Sequence, residues 1–185
     1  PEMTVAEPCD AVSLERIVRM AKDTYGTWYL RLTRKQAPVI YEEGTEFTLG
    51  KSMLLRDGTD ATVFAMGYLV AEALKAADVL AQEGIHIRVV DMWCLKPLDE
   101  QAVLDAARQT GAIVTAENHN VKNGLGAAVA SVLALHQPAP MEMVGVQDEF
   151  GEVGPVSYLA ERFHLTADEI VRKVKLVIGR KDARV

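Results

Sequence analysis

Residues 113–135, IVTAENHNVKNGLGAAVASVLAL, change structural period within one stretch. Ile113 and Val114 are β-branched and apolar, as the end of a buried strand requires. Asn118, His119, Asn120, Lys122 and Asn123 read as a polar loop. Gly124 and Gly126 let the backbone turn into a helix without a Cβ clash. Leu125, Ala128, Val129, Val132 and Leu133 then recur at helical spacing. A strand–loop–helix unit of this kind belongs to an open parallel sheet. The functional end of such a sheet lies where strands stop and helices begin.

The rest of the chain repeats the unit. Met3, Val5 and Ala6 suggest a short strand stopped by Pro8, and Asp10 caps a helix over about 12–23 carrying Leu14, Ile17, Val18 and Ala21. Residues 28–32 alternate as a strand. Two strands and one helix bury too little to stand alone, so residues 1–33 are expected to need further sequence or a partner. Residues 34–50 hold a Pro, two Gly and a Glu cluster without a sustained period, and read as an interdomain linker. Residues 51–55 and 60–65 flank Asp57–Gly58, a hairpin signal that places the first strand antiparallel beside the second. A helix follows with Leu69, Val70, Ala73, Leu74, Ala77 and Leu80 on one face, ended by Gly84. Residues 86–91 form a buried strand, 94–97 a turn, and about 99–109 a helix capped by Asp99. The last strand is 141–146. Pro155 suits the first position of a short helix, and Thr166-Ala-Asp-Glu169 is a capping-box pattern opening a final helix. The tail 179–185 is basic and is expected to be loose. The fold class is three-layer α/β/α, with a mainly parallel sheet and one antiparallel edge strand, preceded by a partial α/β domain. The domain reading is 1–33, linker 34–50, and 51–185.

Hydrophobic residues make up 49% of the 185, enough for a sizeable core. A net charge of -6 gives no reason to expect nucleic acid or an anionic membrane as partner. No apolar run approaches the ~20 residues of a membrane helix, and no signal peptide is visible. Cys9 and Cys94 lie in unlike contexts and read as small apolar residues of a cytoplasmic protein rather than a disulfide. The chain opens on Pro1 and reads as a fragment of a longer protein.

Candidate chemistry is sparse. His86, His119, His136 and His164 lack ligand spacing, and no CxxC is present, so no metal site is expected. The dinucleotide signature GxGxxG is absent. Asn123-Gly-Leu-Gly126 is either an anion-binding helix start or, more simply, a tight turn. Glu117 beside His119 can tune a proton-transfer group or form an interface contact. Ser13, Ser52, Ser131 and Ser157 show no nucleophile context. Alternation makes Arg31 a surface charge. Arg34 lies just past the strand end, where a guanidinium could grip a phosphate, although spacing alone favours a solvated side chain.

Read as a whole, the sequence resembles the C-terminal part of transketolase. MTVAEPCDAVSLERIV resembles a strand ending in Pro-x-Asp before a helix, late in the pyrimidine-binding domain. TWYLRLTRKQAP resembles that domain's last strand. GKSMLLRDGTDATVFAMGYLVAEAL, VVDMWCLKPLD, VTAENHNVKNGLGAAVA and GVQDEFGEVGP resemble landmarks of the C-terminal transketolase domain, the last in the form found in split, two-gene transketolases.

The resemblance implies a thiamine-diphosphate enzyme moving a two-carbon ketol unit between sugar phosphates. It implies that Asp10 contacts a sugar hydroxyl, that Arg34 binds the sugar phosphate, and that Glu117 and His119 match a Glu-x-His near the dimer interface. It places the glutamate that activates the aminopyrimidine ring upstream of Pro1. The residues holding the diphosphate and its Mg belong to the other half. The chain is therefore expected to be inactive alone, with no catalytic, cofactor or metal residue of its own. Its implied partners are a thiamine-binding N-terminal half and a second copy in a homodimer. Deoxyxylulose-phosphate synthase and the beta chain of 2-oxo-acid dehydrogenases share the architecture. Leu125 and the Arg34-to-Pro38 stretch favour transketolase. A dimerisation or regulatory module without a substrate role is the reading from another class.

Overall fold

A computed structural model describes residues 1–34 and 37–183. Lys35, Gln36, Arg184 and Val185 lie outside the described residues, and with them parts of the linker reading and of the C-terminal tail. In chain order the elements are β1 (Met3–Ala6), α1 (Ala11–Asp23), β2 (Thr27–Leu30), β3 (Met53–Arg56), β4 (Ala61–Ala65), α2 (Leu69–Gln82), β5 (Ile87–Asp91) and β6 (Cys94–Lys96). They continue with α3 (Glu100–Gln109), β7 (Ile113–Asn120), α4 (Leu125–His136), β8 (Met141–Val146), α5 (Val156–Arg162) and α6 (Ala167–Asp182).

The larger sheet has the order β3-β5-β4-β7-β8. β4 runs parallel to β5 and β7, β7 runs parallel to β8, and β3 is the antiparallel edge strand. Helices α2 and α6 cover one face and α3 and α4 the other, each face with its own buried cluster. Val63 and Ala65 pack with Leu69 and Ile170 on the first side, while Phe64 packs with Val103 and Val129 on the second. This is the three-layer arrangement, with strands apolar on both faces as a doubly covered sheet requires.

The hairpin expectation fails in one respect. β3 is antiparallel, but its neighbour is β5 and not β4. Asp57–Gly58 therefore turns the chain across the start of β5. Thr59 and Asp60 both donate their backbone N–H to the His86 carbonyl. A Cβ on Gly58 would fall 2.3 Å from the Ile87 carbonyl carbon, so close backbone approach, not a two-residue hairpin, is what this glycine permits.

Four local readings also change. Asn118, His119 and Asn120 belong to β7 and not to a loop, because β8 continues to pair past an irregularity, with Asn120 opposite Val146. Residues 94–96 form β6 instead of a turn. Pro155 is the N-cap of α5 and precedes its first helical residue. The basic tail is helical as far as Asp182, held by Arg180 donating to the Met141 carbonyl and Lys181 to the Asp60 and Thr110 carbonyls.

The smaller sheet has the order β2-β1-β6. Its third strand comes from β6, antiparallel to β1, which follows the larger sheet's β5 after two residues. The isolated look of residues 1–33 in the sequence is thus relieved by pairing within the chain. The described residues between β2 and β3 have no helix or strand. They are pinned instead by an edge-to-face run of rings, Tyr41 to Phe47 at 4.9 Å and Phe47 to Trp93 at 5.6 Å. Trp93 is fully buried between the sheets, and its indole N–H donates to the Lys51 carbonyl.

Candidate functional site

The C-terminal ends of β1, β4 and β7 converge beside the start of α4. A cavity of about 290 Å³ opens there, with Val5, Tyr29, Met66 and Leu95 among its walls and Glu7, Arg31, Glu117 and His119 at its polar end. It is a strand-end site, where an open parallel sheet leaves backbone groups and loops unpaired by its ladder.

Glu117 organises one side. Its Oε2 accepts the Leu125 N–H and its Oε1 the Gly126 N–H, both at 2.8 Å, so the carboxylate closes the first turn of α4 from a neighbouring strand. Gly124, the N-cap, offers no side chain for that role. It must be small: a Cβ there would lie 2.0 Å from Glu117 Oε2. Burial pushes the Glu117 carboxyl above the ordinary carboxylate range. The two donated N–H bonds, then the charges of His119 and Arg31, pull in the opposite direction.

Glu7 faces it from just past the end of β1. Its Oε2 accepts from Arg31 Nη1 at 3.2 Å, while Oε1 is buried without a partner among the described residues. Burial raises this carboxyl too, Arg31 opposes, and the nearby Glu117 charge adds to the rise. Arg31 is a bridge and not a surface charge. Nη1 donates to Asn118 Oδ1 and Nη2 to the Asn118 carbonyl, each at 2.7 Å, so one guanidinium ties the end of β2 to β7. The sequence reading missed Glu7 and misjudged Arg31. The only available signal was a charged residue at each of two adjacent strand ends, in Ala6-Glu7-Pro8 and Leu30-Arg31-Leu32.

His119 is half-exposed, with Nδ1 3.9 Å from Glu117 Oε2. That nitrogen also lies 2.8 Å from the Asn120 carbonyl, which can only accept, so Nδ1 is the donor of that bond.

The remaining two residues of interest lie elsewhere. Asp10 caps α1: Oδ1 accepts from the Ser13 N–H and hydroxyl, and Oδ2 from the Ile40 and Tyr41 N–H groups. Arg34 is exposed. Glu117 and His119 are therefore brought together, joined by Glu7 and Arg31. Among the described residues no group of three His, Cys, Asp or Glu could hold a metal ion.

The two sheets and their strand-end cavity define an α/β protein in which residues 5–31 and residues 66–124 build one site. The chain belongs to the transketolase family: residues 50–170 match the family model for transketolase, C-terminal domain. It is 50% identical over 184 residues to the 6-deoxy-6-sulfo-D-fructose transketolase subunit of Clostridium sp. (strain MSTE9), covering 100% of this chain and 57% of that one. It is 40% identical over 150 residues to an apulose-4-phosphate transketolase subunit of Phocaeicola vulgatus, covering 80% and 48%. A solved split-gene transketolase, described as an inactive beta4 tetramer, superposes with a TM-score of 0.95 at 43% identity, covering 98% of this chain and 59% of that one. The chain spans about half the length of the curated relatives it matches.

The transketolase family generally uses thiamine diphosphate.

Proposed function

We propose that this chain is the C-terminal section of a thiamine-diphosphate-dependent transketolase that moves a two-carbon ketol unit between sugars bearing a terminal oxyanion. One observation carries the reading: the match to a split-gene transketolase covers 98% of the chain and so takes in both sheets. The cofactor and its Mg are held by a second, thiamine-binding half. This section contributes sugar contacts and subunit packing, acts in a cytoplasmic homodimeric assembly, and has no turnover alone.

Arg34 is the anion-binding residue and Asp10 a sugar-hydroxyl contact. Two relatives bear names that specify a sulfo sugar and a sugar phosphate. A guanidinium grips either tetrahedral oxyanion in two parallel bonds, so Arg34 is compatible with both chemistries.

The test reconstitutes the chain with a thiamine-binding half, thiamine diphosphate and Mg, and follows ketol transfer from phosphorylated and sulfonated ketoses. Turnover is expected only in the mixture. Arg34→Ala should raise KM for the oxyanion-bearing sugar by about 10–100-fold, the loss of one charged hydrogen-bonding group, and leave kcat within a few-fold. Turnover by the chain alone, or an unchanged KM in the variant, overturns the reading.

A further inference from the structure

All four acceptor positions of Asp10 are filled. Ser13 supplies two donors from α1, and the backbone N–H groups of Ile40 and Tyr41 supply the others at 2.8 and 2.9 Å. No lone pair is left for a sugar hydroxyl while residues 40 and 41 stay in place. Tyr41 is fastened a second time. The Tyr41 hydroxyl donates at 2.8 Å to Oδ2 of Asp91, the last residue of β5, and the Cys9 thiol donates to that oxygen at 3.4 Å. Asp91 is fully buried, and its Oδ1 has no hydrogen-bond partner among the described residues.

We propose that Ile40 and Tyr41 form a strap that closes over Asp10 and is released when the buried Asp91 loses its proton. The release rests on the burial and hydrogen bonding of Asp91. Only its consequence, uncovering Asp10 for substrate, rests on the transketolase reading above.

The driving force is the bare Oδ1. A neutral carboxyl is tolerated in this position. An anion there has uncompensated lone pairs in a low-dielectric interior, and the Tyr41 and Cys9 donors serve only the other oxygen. The titratable groups facing Asp91 are Tyr41 from the strap and Cys9, Asp10 and Glu7 from the corner between β1 and α1. The strands on either side place Met53 and Ala65 opposite it, neither of which titrates. Burial pushes the Asp91 carboxyl up to about 7. Donation from Tyr41 and Cys9 opposes the rise, and the Asp10 and Glu7 charges reinforce it. Asp10 behaves differently: burial raises it, but the bonds from Tyr41, Ser13 and Ile40 outweigh burial and hold it low. Asp10 therefore keeps its charge while Asp91 changes. Lifting the strap admits water to Oδ1, and the anion then has the solvent it lacks.

The test is amide hydrogen exchange of Ile40 and Tyr41 in the full chain, corrected for intrinsic rates, without partner or sugar. Its failure is thus separate from any failure of the enzymatic reading. If the opened Asp91 titrates normally, protection should fall about tenfold between about pH 6 and pH 8, from linkage across a carboxyl moved from 3.8 to about 7. Asp91→Asn should hold protection constant over that range. No loss in the wild type, or an equal loss in the variant, overturns the proposal. Should the variant fail to fold by circular dichroism, the carboxyl 13C titration of wild-type Asp91 decides. A midpoint near 7 supports the strap, and one in the ordinary carboxylate range overturns it.

Discussion

Replacing Gly124 by alanine tests the linkage between the helix start and the buried carboxylate. Gly124 has φ −102, which any residue adopts, so the substitution meets no backbone strain. Its new Cβ would instead lie 2.0 Å from Glu117 Oε2 and 2.7 Å from its Cδ. Glu117 must withdraw, which abandons the buried N–H groups of Leu125 and Gly126. At roughly 1–3 kcal/mol for each unsatisfied buried donor, the loss is about 4 kcal/mol. Glu117→Ala removes the same two bonds and should cost a similar ~4 kcal/mol. In the double variant the carboxylate is gone and the Cβ meets only the Asn120 carbonyl oxygen, at 2.9 Å, so Gly124→Ala should then add about 1 kcal/mol, leaving a coupling near 3 kcal/mol. Urea denaturation of the four proteins, followed by the fluorescence of Trp28 and Trp93, measures all corners of the cycle. Additive effects, with a coupling below about 1 kcal/mol, would refute the argument that Glu117 is the cap and Gly124 the space it occupies.

Two further outcomes follow from the same region. Arg31→Ala strips the buried Glu7 of its cation and β7 of its bridge, and should lower the unfolding free energy by about 2–3 kcal/mol in urea. Arg31→Lys should recover less than half, because a point charge cannot reproduce the fork onto Asn118 Oδ1 and its carbonyl. Stability should fall as pH rises. Glu7, Glu117 and Asp91 all have folded-state values above their unfolded ones, so the folded state holds extra protons that contribute fully below the unfolded values and are lost on passing the folded ones. For Asp91, between 3.8 and about 7, the loss is at most about 4 kcal/mol. A urea midpoint that stays level from about pH 5 to pH 8, or one equally steep in Asp91→Asn, would contradict this.

The legible parts of the chain were those governed by local periodicity. Helices α2, α3 and α4 announced themselves through apolar spacing and through caps such as Asp99, whose side chain accepts the Ala102 N–H as its position suggested. The β-branched runs around Val63, Val89 and Val114 marked strands buried on both faces, and with the helices between them they fixed the fold class. Glu117 and His119 stood out because two ionisable residues at a strand end are unusual, and the fold does bring them together.

What the sequence could not express was adjacency. Asp57–Gly58 has the composition of a hairpin, yet β4 is closed on both sides by β5 and β7, so the open edge left for β3 is that of β5. Residues 94–96 are too short to carry a strand signal, and only the exposed edge of β1 makes them one. Glu7 and Arg31 are separated by 24 residues, and Arg31 and Asn118 by 87, so no local pattern relates them. Asp91 looks like an ordinary strand end in the sequence. Tertiary packing alone places it without solvent under Tyr41, because burial and hydrogen bonding are properties of what surrounds a residue, whereas propensity is a property of the few residues beside it.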